Sequence, residues 1–121
     1  MQELVGLLRE QVDVVGTVSD GRSLVEAAVR LQPDVVITDI SMPGMNGIES
    51  LRSLKASGVV AKVIFLTMYA DSEFASEALR GGASGFVLKQ SAGEELMTAI
   101  DEVLRGRVYL SREVAGARER T

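Results

Sequence analysis

Apolar positions in this sequence recur with two distinct periods. Met1, Leu4, Val5 and Leu8 fall at i, i+3, i+4 and i+7, one face of a helix. Val12, Val14, Val15 and Val18 then form a β-branched run that reads as a strand, ended by Ser19-Asp20-Gly21, which offers a helix N-cap. Leu24, Ala27, Ala28 and Leu31 make the stripe of a second helix, and Pro33 stops it. Val35-Val36-Ile37 is continuously apolar, the pattern of a strand buried on both faces, and it runs directly into Thr38-Asp39.

The segment from Ser41 to Gly47 is dense in turn formers. Ile48, Leu51 and Leu54 mark a third helix ending near Gly58, and Val63-Ile64-Phe65-Leu66-Thr67 a further buried strand. A fourth helix opens at Asp71-Ser72 and closes at Gly81-Gly82. Phe86-Val87-Leu88-Lys89 gives the last strand. Ser91 with Glu94 has the spacing of a capping box before a final helix carried by Leu96, Ile100 and Val103 and ended by Gly106. The order is a helix followed by strand and helix four times. Such alternation predicts a parallel sheet with helices on both faces, whose sites form at the carboxyl ends of the strands. Residues 1–106 read as one domain, and 107–121, where the pattern weakens into alternating charges, as the start of a linker.

Composition narrows the chemistry. The chain has 121 residues, a net charge of −4, no cysteine and no histidine. Disulfides and thiolate metal sites are excluded, and so are the commonest general base and the commonest nitrogen metal ligand. Any metal has to be hard and oxygen-bound, such as Mg2+. The acidic balance argues against direct contact with nucleic-acid phosphates. No apolar run reaches the ~20 residues that span a bilayer and no signal peptide opens the chain, so the expected location is cytoplasmic.

Three polar residues, Asp39, Thr67 and Lys89, each close a buried apolar strand. In neighbouring parallel strands they bring a carboxylate, a hydroxyl and an ammonium to one sheet edge. That set suits phosphoryl transfer to a carboxylate: Asp39 as nucleophile, Lys89 as a point charge on the phosphoryl oxygens, Thr67 as a hydroxyl partner. Taken singly, each also fits a blander role, Asp in a turn, Thr in a strand, Lys as a solvated end charge. Glu73, Glu77, Glu94, Glu95, Asp101 and Glu102 read as solvated helix faces, and Asp34 lies near the opposite end of its strand.

The segments from Pro33 to Gly47, Val63 to Thr67 and Gly82 to Lys89 resemble the receiver domain of two-component response regulators. Gly106-Arg107-Val108-Tyr109-Leu110-Ser111 is similar to the NarL/FixJ-type branch, whose receivers precede a helix-turn-helix output domain. The resemblance implies a flavodoxin-like fold, with Asp39 as phosphoacceptor, Thr67 as switch hydroxyl and Lys89 as the phosphate-pairing lysine. It further implies Phe86 as the aromatic switch position, Pro43 and Gly47 as markers of the active-site loop, and Asp39 with the backbone carbonyl of Ser41 as Mg2+ ligands. Its implied partners are a sensor histidine kinase and, through an output domain outside this chain, DNA; no membrane is implied. Such a domain is not an enzyme beyond promoting its own phosphorylation and dephosphorylation.

Receivers open with a strand and two adjacent acidic residues, whereas here residue 1 already falls in the first helix. The sequence therefore predicts four strands and five helices without the first, central strand. It also predicts weak or absent Mg2+ binding, and a homodimer, with swapped or rearranged elements, that covers the exposed edges. The alternative reading is a degenerate receiver, independent of phosphorylation, that acts as a dimerisation or interaction module. A small-molecule-binding domain of the same architecture would need an aromatic-lined pocket, and the chain has only three Phe, two Tyr and no Trp.

Overall fold

A computed structural model describes residues 21–39, 41–42, 45–68 and 72–112. In order these form α1 (Gly21–Leu31), β1 (Val35–Asp39), β2 (Ser41–Met42), β3 (Met45–Asn46), α2 (Gly47–Ala56), β4 (Lys62–Thr67), α3 (Ser72–Arg80) and β5 (Gly85–Leu88). A 3-10 turn (Lys89–Ser91), α4 (Ala92–Leu104) and β6 (Tyr109–Leu110) follow. The predicted helix over 1–8 and the strand over 12–18 lie outside the described residues, as does Pro43.

The main sheet runs β1-β4-β5-β6, every pair parallel. Register places Asp39 beside Leu66 and Leu66 beside Val87, with Thr67 and Leu88 paired one step further on. Alternation along each strand sends its side chains to two cores. One holds Val36, Val63, Phe65, Phe86 and Leu88 under α1, α2 and α3, through residues such as Leu24, Leu51, Leu54 and Ala78. The other holds Ile64, Leu66 and Val87 under Ala92, Leu96, Ala99, Ile100 and Val103 of α4. Helices thus cover both faces, as the continuous apolar runs require. Within the described residues three of the expected strands appear as β1, β4 and β5, and β6 joins them as a further parallel strand.

Helix ends follow local chemistry. Beyond α2 the Gly58 N–H donates to the Lys55 carbonyl at 3.1 Å and the Val59 N–H to that of Leu54 at 3.0 Å. This reciprocal pair needs a left-handed residue, and Gly58 has φ +79°. Gly82, at φ +103°, closes α3 by the same pair of bonds, to Leu79 and Ala78.

Three expectations need correction. Ser91 does not form a capping box: its backbone is already near-helical (φ −105°, ψ −1°) because a 3-10 turn runs into α4, and its side chain makes no cap bond. Two short strands, β2 and β3, pair antiparallel inside the turn-rich segment, Ser41 opposite Asn46. Residues 109–111, read from sequence as linker, belong to the sheet: the Tyr109 N–H donates to the Ser84 carbonyl at 3.0 Å and the Ser111 N–H to that of Phe86 at 2.9 Å. No helix among the described residues is long and apolar enough to cross a membrane.

Candidate functional site

β1, β4 and β5 end together; Asp39 and Thr67 are the last residues of β1 and β4, while Lys89, expected as the end of the last strand, directly follows β5 as the first residue of the 3-10 turn. Asp39 shares a register row with Leu66 and Val87 and so points to the α4 side of the sheet. Lys89 lies two residues beyond Val87 on β5 and reaches the same side. Its Nζ stands 3.1 Å from Asp39 Oδ1, the two side chains being 37% and 32% exposed. The contact is an ion pair without directed hydrogen-bond geometry. Oδ1 is buried and carries no hydrogen bond. An anionic oxygen is therefore held next to a cation, shielded from water, with lone pairs unused.

Thr67 closes β4 at the same sheet edge, one register step past Asp39, and is 5% exposed. Its row is shared with Leu88, so its side chain leaves the strand on the opposite side of the pleat from Asp39. The structure thus brings Asp39 and Lys89 into contact and sets Thr67 at the edge of the adjacent strand. Thr38 donates its hydroxyl to the Asp39 carbonyl at 3.2 Å. Phe86 is buried in the core under α3, with its ring centroid 6.4 Å from that of Phe74 and the planes tilted by 44°. A change in α3 meets this ring through Phe74. Ser41 opens β2 two residues past Asp39, and Gly47 begins α2 directly after β3. Among the described residues no three acidic or histidine side chains cluster as a metal site.

One functional-looking feature escaped the sequence reading. Glu95, placed there among solvated helix charges, is half-buried and accepts two hydrogen bonds from the tail. The Tyr109 hydroxyl donates to Oε1 at 2.7 Å and the Ser111 hydroxyl to Oε2 at 2.9 Å. Burial, reinforced by the bond to Glu95 and by its negative charge, pushes the Tyr109 phenol from 10.0 up to about 12. The partners lie 14 and 16 residues from Glu95, and no local pattern links them.

Residues 1–101 match the family model of the response regulator receiver domain. The chain is 38% identical over 107 residues to the transcriptional regulatory protein LnrK of Bacillus subtilis, covering 88% of this chain and 49% of that protein. It is 40% identical over 103 residues to DesR of the same organism, covering 84% and 51%. The chain therefore spans about half the length of the curated relatives it matches. Among solved structures, a LuxR-family two-component response regulator from Aurantimonas sp. SI85-9A1 superposes with a TM-score of 0.89 at 32% identity, covering 98% of this chain and 87% of that one. The signal receiver domain of NarL from Mycobacterium tuberculosis gives 0.81 at 30%, covering 88% and 87%. The parallel order, the paired Asp39 and Lys89 and these matches agree: the chain belongs to the response regulator receiver domain family, with relatives of the NarL and LuxR type.

Proposed function

We propose that this domain accepts a phosphoryl group on Asp39 from the phosphohistidine of a sensor kinase, and that its phosphorylation state controls transcription through an attached DNA-binding domain. The carrying observation is the buried, hydrogen-bond-free Oδ1 of Asp39 held 3.1 Å from Lys89 Nζ. An Asp39 oxygen attacks phosphorus, the P–N bond of phosphohistidine breaks, and the imidazole leaves with its electron pair and takes up a proton. The product is an acyl phosphate. Lys89 turns its charge from the carboxylate to the phosphoryl oxygens without leaving the sheet edge. The Thr67 hydroxyl, which leaves β4 on the other side of the pleat, turns over the strand end to take one of the same oxygens, and the rearranged end of β4 is read by Phe86 against Phe74 on α3. A local charge change thereby reaches the surface of α3. The domain promotes its own phosphorylation and hydrolysis and catalyses nothing else.

Mg2+ suits the donor chemistry, since the Asp39 carboxylate is a hard oxygen donor and the chain offers no histidine or cysteine. Asp39 and the Ser41 carbonyl would hold it, weakly on these two groups alone, and it would supply positive charge for the phosphoryl oxygens. A second copy of the chain completes the assembly in this reading, and the mass in solution should be that of a dimer.

The deciding experiment is intact-mass spectrometry after incubation with acetyl phosphate and Mg2+. Wild type should gain one phosphoryl group and Asp39→Asn none. A folded wild type that gains nothing overturns the reading and leaves a receiver that works by interaction alone.

A further inference from the structure

The tail contact at Glu95 extends through Ser111 to Leu88, the residue before Lys89. β6 contains only Tyr109 and Leu110, yet the ladder on the outer side of β5 continues past it. Backbone bonds flank the paired residues on either side, Tyr109 N–H to the Ser84 carbonyl at 3.0 Å and Ser111 N–H to the Phe86 carbonyl at 2.9 Å. The next rung along β5 is the Leu88 N–H, and its acceptor is not a carbonyl but the Ser111 hydroxyl, at 2.9 Å. Ser111 is fully buried and its hydroxyl donates a hydrogen bond to Glu95 Oε2 at 2.9 Å. Because the hydroxyl hydrogen is committed to a carboxylate, its lone pairs are turned toward Leu88. The next residue in the chain is Lys89, where the strand gives way to a 3-10 turn.

We propose that Ser111, oriented by Glu95, is a positioning residue for the phosphoryl-acceptor site: it fixes the end of β5 so that Lys89 stands against Asp39. The 3.1 Å ion pair needs a defined origin for a long, flexible side chain. The Leu88 amide is the last β5 backbone donor before that origin. If it loses its acceptor, a buried N–H is left unsatisfied and the strand end shifts to find water. The lysine that should meet the phosphoryl group is then no longer held. By the same linkage, whatever displaces Lys89 from Asp39 weakens the hold on Ser111, so the site and the tail strand are coupled in both directions. The inference rests on Asp39 and Lys89 being the working pair, and it is testable without phosphorylation.

The chain has three lysines, Lys55, Lys62 and Lys89. Their amines can be labelled with acetic anhydride and counted by peptide mass spectrometry, with Lys55 and Lys62 as internal references. Asp39→Asn sets the labelling of an unpaired Lys89. Ser111→Ala should raise Lys89 labelling about two- to fivefold toward that value, the protection a half-exposed ion pair provides. Ser111→Thr, which keeps the hydroxyl, should restore it. Tyr109→Phe removes a bond to Glu95 but leaves the Ser111–Leu88 rung, and should change nothing. If Ser111→Ala does not fold, Glu95→Ala decides on the same readout, because it frees the hydroxyl without removing it.

Unchanged Lys89 labelling in folded Ser111→Ala, or in Glu95→Ala where that variant decides, overturns the proposal. So does an equal rise in Tyr109→Phe, which would assign the effect to loosening of the tail in general. Phosphorylation measured beside it separates the two readings. A wild type that takes no phosphoryl group but shows the labelling pattern keeps the positioning role and loses the phosphoacceptor; the reverse keeps the phosphoacceptor and loses Ser111.

Discussion

Gly85 opens β5 opposite Ile64 of β4, and that pairing sets a reversible sign on a single methyl group. A Cβ at residue 85 would lie 3.0 Å from Ile64 Cγ1 and 3.3 Å from its Cγ2. Ile64 is fully buried and β-branched, so it has little room and few rotamers with which to yield. Overpacking of this kind costs about 1–3 kcal/mol. Replacing glycine in a strand returns about 0.5–1 kcal/mol of backbone entropy. Gly85→Ala should therefore destabilise by about 1 kcal/mol. Ile64→Ala alone should cost about 2–5 kcal/mol through its cavity. In that background both clashing carbons are gone, and the new methyl fills part of the space they leave. There Gly85→Ala should stabilise by about 1–2 kcal/mol, from one buried methyl plus the entropy term. Urea unfolding of the four proteins, with unchanged slopes, gives the coupling directly. The same sign for Gly85→Ala in both backgrounds would refute the argument that Ile64 is what keeps residue 85 a glycine.

Tyr109 should titrate near pH 12 by phenolate absorbance in a Tyr69→Phe background, which leaves it the one tyrosine of the chain; a midpoint near 10 would mean that the bond to Glu95 is not made in solution. Because its folded value is raised from 10.0 to about 12, its contribution to stability is intact below pH 10 and is lost as pH climbs toward 12, a loss that Tyr109→Phe should remove. Phe86→Ala should cost about 3–5 kcal/mol in urea unfolding, since the ring is buried and packs on Phe74. Arg107→Ala should move stability by no more than about 0.5 kcal/mol despite its 3.1 Å pair with Glu102, because the arginine is largely solvated; a larger loss on thermal unfolding would show that this turn matters to the fold.

What sequence could show here was set by how local the signal is. Residues 35–37, 63–66 and 86–88 are apolar at every position because helices cover both sheet faces, and such runs stand out in a single sequence. Their polar ends pointed to Asp39, Thr67 and Lys89, and parallel register is what makes Asp39 and Lys89 meet. The register also sends Thr67 to the other side of the pleat, which spacing along the chain does not encode. The hydroxyl of Ser91 suggested a cap, but the backbone runs from 3-10 turn to helix with no extended residue to aim it. β6 was invisible: two residues carry no periodicity, and its anchor is a carboxylate on another element. Glu95 has the same helical spacing as the solvated charges around it. Only the approach of Tyr109 and Ser111 distinguishes it.

The short strand at the margin of the sheet also governs how the protein behaves in company. Every residue of β5 is buried and apolar or glycine, a segment that would aggregate if its outer amides and carbonyls were open to other molecules. Two residues and a serine close that row, secured by one helix carboxylate. Cutting the chain at the end of α4 would strip the cover and leave a strand ready to pair with its copy in a neighbouring molecule. A receiver trimmed to the last residue of its helix should therefore precipitate, while one kept through Ser111 stays dispersed.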